Sequence, residues 1–530
     1  MKYHHPLVTG GMFHWDYELL RILPAVLQAK DHADMNAVLL KWVTELGTVR
    51  PCTSCASLNE ADLYMRPDVK WIENKELLGA NLSATLLSIY RNRSNDSRQF
   101  YIELHKGVGN PDFKHELSYK QLKFPDPGFQ LLALYRFWNI VEYWSPYRDI
   151  LGEDWNKVLV EFIPKIALAK DRDEYQREMM ALIARMHDGH ANLWSSLKVR
   201  PPTGDCELPV TVRFVENQAV VFGLETGAAA KDSGLARGDV ITELDGVPVS
   251  KLVERWTPYY SSSNDAARLR DMAMSMPRGN CGKASVRVRR GPEDLRLKPK
   301  RLSNDTGDAF PTHDLPGEAF RMLSKDVAYL KLSAVKAADA SHYVEASAGA
   351  KGLIIDIRNY PSEFVVFALG SLLVGSDTPF ARFTVGDLAT PGAFHWTEPM
   401  SLAPDKPHFT GKVVVLVDEV SQSQAEYTSM AFRAVAGAVV VGSTTAGADG
   451  NVSQFALPGG LSTMISGIGV FYPDKKPTQR VGIVPDVVVR PTIAGIRAGR
   501  DEVLEEALRQ VLGSTTSSDE IQKLARPSAP

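Results

Sequence analysis

Ser421 and Ser423 stand two residues apart, in the polar turn between an apolar run and a helical stretch, in the string GKVVVLVDEVSQSQAEYTSMAFRAV at residues 411 to 435. Ser423 is followed three residues on by Glu426 and Ser421 by Gln424, so each opens a capping box in which a serine and its partner satisfy the orphan amides of a helix start. A serine there can also do chemistry. The first amides of a helix have no intrahelical acceptor and carry partial positive charge. A hydroxyl at Ser423 can therefore attack a carbonyl while the next amide, from Gln424, faces the oxygen that becomes negative. The local pattern favours capping, and only a base elsewhere in the chain reverses that. His187-x-x-His190, in HDGHANLW, offers two imidazoles on a turn-rich loop, but with no nearby acidic ligand it makes a poor zinc site. Cys52-x-x-Cys55 lacks a second pair and lies in a Pro/Thr/Ser loop. It reads as a local disulfide or inert thiols ahead of a redox or half-zinc motif.

The serines need a rigid mount. Residues 413 to 417 form an unbroken apolar run, as in a strand buried on both faces, and after the turn apolar residues recur at helical spacing through Tyr427, Met430, Ala431 and Val435. VAYLKLS, KGLIIDIRN and GAVVVGSTTAG are similar short runs separated by helical stretches near 339 to 348 and 363 to 374. That alternation predicts an α/β domain with a largely parallel sheet over 304 to 513, ending in the amphipathic helix DEVLEEALRQVL. A Pro/Asp/Gly linker near 303 to 318 leads into it. The Ser/Thr/Pro-rich end, 514 to 530, reads as a disordered tail.

A chain of 530 residues is too long for one core and divides into several domains. A net charge of −3 without a basic run excludes a nucleic-acid surface, and no apolar run reaches membrane-spanning length. No signal peptide precedes Tyr3. Residues 1 to 56 and 125 to 204 form two helical units. KYHHPLVTGGMFHWDYELLRILPAVLQAKD lies without a gap on EYWSPYRDILGEDWNKVLVEFIPKIALAKD at an offset of 140, pairing Tyr3 with Tyr143, Pro6 with Pro146, Trp15 with Trp155 and Asp31 with Asp171. Eight identities in the 29 positions from Tyr3 to Asp31 indicate duplication. Only the second copy runs on into the histidine loop; Arg50 stands in the first where His190 stands in the second. The helix preceding Tyr143 has no counterpart before Tyr3, so the N-terminus looks trimmed. Residues 57 to 124 read as a small packing subdomain, and 205 to 303 as a β module of short alternating strands with a helix near 263 to 276.

Within that module SGLARGDVITELDGVPV resembles a PDZ domain of the bacterial, circularly permuted kind, which binds extended peptides at a sheet edge. KGLIIDIRN, VVVLVDEVSQSQAE, VVVGSTTAG and VGIVPD, in order after this module and after a helical region ending in DGHA, resemble the C-terminal-processing and tricorn-core serine peptidases. The resemblance spans about residues 125 to 510 and implies a multidomain α+β protein: helical repeats, PDZ-like module and an α/β core of the ClpP/crotonase kind. It implies Ser423 as nucleophile. The lysine that serves as base in the processing branch would fall on Ala448, which excludes it. The tricorn-like branch uses a histidine, and His190 matches it. An imidazole titrates near neutral pH and can take the serine proton and return it to the leaving amine. The Gln424 amide and one from the turn near Ser362 would hold the oxyanion.

Three departures accompany the match. The turn after the strand reads Asn359-Tyr360-Pro361-Ser362-Glu363 rather than glycine-rich; Gly189 stands where the tricorn-like site has a serine; and Gln479 stands at the supporting glutamate. The expectation is a serine endopeptidase acting on peptides or unfolded protein C-termini captured by the PDZ module. It needs no metal or cofactor, has no nucleic-acid partner or transmembrane segment, and is compatible with a homo-oligomer. Family habit implies export. The rival reading is a catalytically inactive peptide-binding protein on the same fold.

Overall fold

Six strands form the sheet on which the rest is mounted. In a computed structural model, which describes residues 1–95, 98–225, 227–303 and 311–526, they run in the order Phe320–Ser324, Val327–Lys331, Gly352–Asp356, Lys412–Val417, Val439–Gly442 and Val487–Val488. The first pair is antiparallel and the others parallel, with Gly352 beside Lys412 and Val414 beside Val439. Val413 to Val417 are each at most 2% exposed, as the unbroken apolar run predicts for a strand covered on both faces. Alternation divides the side chains between two cores. Leu353, Ile355, Val413 and Val415 pack with Leu369, Met430 and Ala431 of the helices Val366–Gly370 and Gln424–Arg433. Ile354, Val414 and Leu416 pack with Val503, Leu504 and Leu508 of the helix Glu502–Leu512. Each such side chain contributes roughly 1.5–3 kcal/mol by burial.

The chain does not dissolve into a tail after residue 513. Ser517 caps a helix, Ser518–Leu524, whose Ile521 is fully buried in the second of these cores. The serines and threonines that suggested disorder cap and lead into that helix, and the apolar residues follow at helical spacing. Residues 527 to 530, and 304 to 310 of the expected linker, lie outside the described residues.

In the N-terminal half, the helices Trp15–Leu27 and His32–Glu45 stand 140 residues ahead of Trp155–Ala167 and Arg172–Ala184, with Asp31 and Asp171 capping the second helix of each pair. The helix Pro127–Trp144 contacts both pairs: Trp138 Nε1 donates to the Trp155 carbonyl at 2.8 Å, and Arg136 pairs with Asp16 at 2.7 Å. The stretch between the pairs is not a separate body, since its strand Leu63–Met65 pairs with Phe394–Trp396 beside the central domain. Residues 206 to 303 contain a sheet in the order Glu293–Leu297, Val286–Arg290, Val240–Leu244, Gln218–Leu224, Val210–Val215, with the helix Asp265–Ser275 alongside the last strand. A disulfide joins Cys206 to Cys281, which the antiparallel pairing of Cys206 with Gly279 brings together, and a second closes Cys52 on Cys55. Among the described residues no helix is long and apolar enough to cross a membrane.

Burial carries one carboxyl of the helix Pro127–Trp144 far from its ordinary range. It pushes Glu142 from 4.5 up to about 7, against the pull of Arg148 and helped by Asp68. Between those two pH values the folded protein keeps a proton that the unfolded chain releases, so stability from this group falls as pH rises through that window. Glu142→Gln should therefore raise stability by roughly 1–3 kcal/mol at pH 8 and leave it unchanged at pH 4, as urea unfolding at the two pH values will show.

Candidate active site

Ser423 sits in the turn between the strand Lys412–Val417 and the helix Gln424–Arg433, at φ 58° and ψ −119°. A side-chain-bearing residue adopts a positive φ only when its surroundings compel it, and here Glu426 does so. Its buried carboxylate accepts the Ser423 N–H at 3.2 Å, the Gly447 N–H at 2.7 Å, the Ala448 N–H at 2.9 Å and the Thr445 hydroxyl. The Ser423 N–H also donates to the Ala448 carbonyl at 2.9 Å. The position that holds a lysine in the processing branch thus serves through its backbone. The loop that returns to this turn passes through Gly442, where φ is 135° and any Cβ would lie 1.9 Å from the Val417 carbonyl oxygen, so only glycine fits. Capping and presentation are not alternatives at Ser423: the Glu426 half of the box is made, and Ser423 also lines a cavity. Ser421, by contrast, donates to the Ile357 carbonyl at 2.7 Å and ties the turn to the neighbouring strand.

His190 is 8% exposed and lines the same cavity as Ser423, a space of about 1140 Å³. Its Nδ1 lies 3.0 Å from Ser466 Oγ, which donates to Asp188 Oδ1 at 3.1 Å; Nδ1 itself is 3.6 Å from that carboxylate oxygen. A hydroxyl that donates to Asp188 accepts from the imidazole, so the proton sits on Nδ1 and Nε2 keeps its lone pair. Nε2 is buried without a hydrogen-bond partner. Burial pushes the Asp188 carboxyl up, but the hydrogen bond and charge of His190 and the amides of Ser466 and His190 outweigh it and hold its pKa below 3.8.

The departures from the family pattern are accommodated locally. Gly189 donates its N–H to Ser263 Oγ at 2.9 Å, and a Cβ there would meet that of Ala448 at 3.0 Å. Gln479 does not reach His190; its Nε2 lies 3.4 Å from Asp188 Oδ1 and its Oε1 accepts from the Asp449 N–H at 3.3 Å. The anion beside the imidazole is Asp188, two residues before it, which the sequence presents only as a turn former in DGHAN. Ser466 comes from the strand Leu461–Ser466, with no local signal at all.

Gln424 lines the cavity at the opening of its helix, and its side chain donates to the Glu363 carbonyl at 2.8 Å, fixing the helix start against the 359–363 turn. The Ser362 amide is not an oxyanion donor: it is bound to the Leu332 carbonyl at 2.9 Å, because the Pro361 turn folds back on that segment. Phe364, Phe367, Phe383, Tyr427, Met400 and Met464 make most of the cavity apolar. Asp449 also lines it, with Oδ2 unpartnered; burial, then the charge of Glu426, push its carboxyl well above the usual range.

The remaining sequence candidates lie elsewhere. His187 is held below its ordinary pKa by burial and by Arg480, apart from the cavity lining, and Arg50 is exposed. His313, Asp418 and Glu419 have the composition of a cation site, but Arg213 occupies their carboxylate edges at 3.0 and 2.7 Å and His313 Nδ1 meets Asp418 at 2.6 Å, so both carboxylates are already engaged there.

A serine at positive φ, a histidine whose buried Nε2 has no hydrogen-bond partner and an apolar cavity lined by both are the parts that acyl transfer would use. Residues 326–489 match the sequence profile of peptidase family S41, so the core of this chain is an S41 peptidase domain and its class is that of a serine peptidase. No curated protein sequence matches the chain. Among solved structures it is similar to mature CPAF in complex with lactacystin, at 16% identity and a TM-score of 0.56, covering 73% of this chain and 97% of that one. Mature CPAF itself gives 14% identity, a TM-score of 0.56 and coverage of 74% and 99%. The photosystem II D1 C-terminal processing protease gives 18% identity over 74% of this chain and 99% of that one, at a TM-score of 0.42.

Because the folded pKa of Asp188 is depressed, its contribution to stability is present above about pH 4 and is lost as pH falls through the folded value. Asp188→Asn should lower stability at pH 7 by roughly 1–3 kcal/mol and flatten the loss between pH 4 and pH 2, read from denaturant midpoints across that range.

Proposed function

We propose that the protein is a serine endopeptidase in which Ser423 is the nucleophile and His190 the general base. The observation that carries this reading is the asymmetry of His190. Its Nδ1 side is committed to Ser466 and Asp188 while Nε2 is buried, unpartnered and in the cavity that holds Ser423. Nε2 takes the Ser423 proton as Oγ adds to the scissile carbonyl, and the imidazolium formed is stabilised by the Asp188 carboxylate through Ser466. The Gln424 amide hydrogen-bonds the oxyanion. As the tetrahedral intermediate collapses, Nε2 returns the proton to the leaving amine; water then repeats the sequence on the acyl-enzyme, with Gly189 and Gln479 holding the loop that carries the base.

The apolar lining suits peptides with large apolar side chains near the scissile bond. The β module supports substrate capture: its outer strand Val210–Val215 has the helix Asp265–Ser275 alongside, an arrangement in which a PDZ domain adds an extended peptide, here an unfolded C-terminus. Two disulfides suit an oxidising compartment, in keeping with export.

A fluorophosphonate probe with the labelled peptide mapped by mass spectrometry tests the pair. Labelling at Ser423 should vanish in Ser423→Ala and slow by about 10⁴-fold or more in His190→Ala. A wild type that stays unlabelled while its unfolding transition is cooperative would instead mark a peptide-binding protein on a peptidase fold.

A further inference from the structure

A second cavity, of about 550 Å³, lies between the first helical unit and the helix Pro127–Trp144 and shares no lining residue with the first cavity. Four of the chain's nine tryptophans line it, Trp15, Trp42, Trp71 and Trp138, together with the carboxylates of Asp68 and Glu142. The charges around it do not balance. Lys2 pairs with Glu116, and Arg136 with Asp16 and Glu116 at 2.7 and 2.8 Å, so the two cations of the wall are matched by two carboxylates. Asp68 has no hydrogen-bond or ion-pair partner among the described residues. Glu142, only 7% exposed, has Arg148 alone, whose guanidinium stands 3.4 Å from Oε1 while it donates to the Glu142 and Arg66 carbonyls. Burial is the main cause of the raised Glu142 carboxyl, and the charge of Asp68 adds to it. A carboxylate short of a positive partner behaves in this way.

The rings around these carboxylates are fixed by their edges. Trp42 Nε1 donates to Glu18 Oε2 and Trp138 Nε1 to the Trp155 carbonyl, each at 2.8 Å, so neither indole has a donor left for a ligand. What they offer is π surface, which attracts a cation. Trp15 and Trp42 form a corner, their ring centroids 5.3 Å apart and their planes inclined by 35°. At the offset of 140, Trp42 stands where the second helical unit has Leu182, a residue buried in the core. The unit without the histidine loop therefore carries an aromatic wall where its copy carries aliphatic packing.

We propose that this cavity binds an organic cation, an ammonium or guanidinium on an apolar stem, with Glu142 and Asp68 as its counter-charges and the tryptophans about its stem. An anion would meet like charge there, and a neutral ligand would leave both carboxylates uncompensated. The volume falls within the range of small-ligand sites. Trp71 and Leu77 line the cavity and are themselves exposed, so it opens to solvent. A free amine can enter, and so can a lysine or arginine side chain of a polypeptide. The site is independent of the reading of Ser423 as the nucleophile.

Isothermal titration calorimetry of the whole chain with n-hexylamine and with its neutral counterpart 1-hexanol tests this. Hexylamine should bind at least about tenfold more tightly than hexanol, and about tenfold more weakly to Glu142→Gln and to Asp68→Asn than to the wild type. Glu142→Gln is the variant expected to gain stability and Asp68 has no partner to lose, so lost binding is not lost fold. Displacement of hexylamine by an acetylated, amidated hexalysine peptide would support a polypeptide side chain as the natural source of the cation; retention of hexylamine would support a free amine. Equal affinity for hexylamine and hexanol overturns the proposal and makes the cavity a plain apolar void. Binding that is unchanged in both carboxyl variants, or that is lost in Ser423→Ala, also overturns it by placing the cation elsewhere. So does an absence of hexylamine binding to the wild type.

Discussion

A single buried carboxylate holds the catalytic turn in shape. Glu426 is removed from water, so in a medium of low dielectric its charge is tolerable only if its oxygens are filled with donors. It finds them in two places, the Ser423 amide at its own helix start and the Thr445, Gly447 and Ala448 groups of the loop returning from the next strand. The same bonds that satisfy the carboxylate fix the ends of two parallel strands against each other and compel the positive φ at Ser423. Burial raises the carboxyl's pKa, against the pull of these four donors.

The constraint then passes outward. Ala448, positioned by Glu426, abuts Gly189, whose neighbour His190 carries the free nitrogen. The imidazole is fixed by groups far apart in the chain: Asp188 on its own loop, Ser466 on a strand 276 residues away, and Ser261 and Ser263 from the β module, which bond to the Asp188 carbonyl and the Gly189 amide at 2.8 and 2.9 Å. Such convergence is what pre-organisation requires, because a base that must find its orientation during the reaction forfeits much of its effect.

The parts of this arrangement that were legible in the sequence are those whose cause is local. The buried strand, the turn and the helix that frame Ser423 follow from an apolar run and helical spacing, and the histidine loop stood out because only one of two similar helical units carries it. What was not legible depends on tertiary partners. Asp188 was visible but indistinguishable from an ordinary turn residue until Ser466 was placed beside it. The Ser362 amide fails as a donor because of a carbonyl thirty residues earlier, and no spacing rule announces that bond. Cys206 and Cys281 become neighbours only through strand pairing. The helix at Ser518–Leu524 was hidden by composition: its serine-rich approach resembles disorder, while three apolar positions, Ile521, Leu524 and Ala525, dock it against a core already present.

The hydroxyls of Ser261 and Ser263 carry a consequence for how such a protein can be rearranged. By chain pattern the β module begins and ends cleanly, closed on itself by the Cys206–Cys281 bridge, and looks like a part that recombination could swap. Yet it lends two hydrogen bonds to the loop that bears the base. A replacement module would have to bring hydroxyls to those same two points, so the seams along which this chain can be read are not the seams along which it can be exchanged.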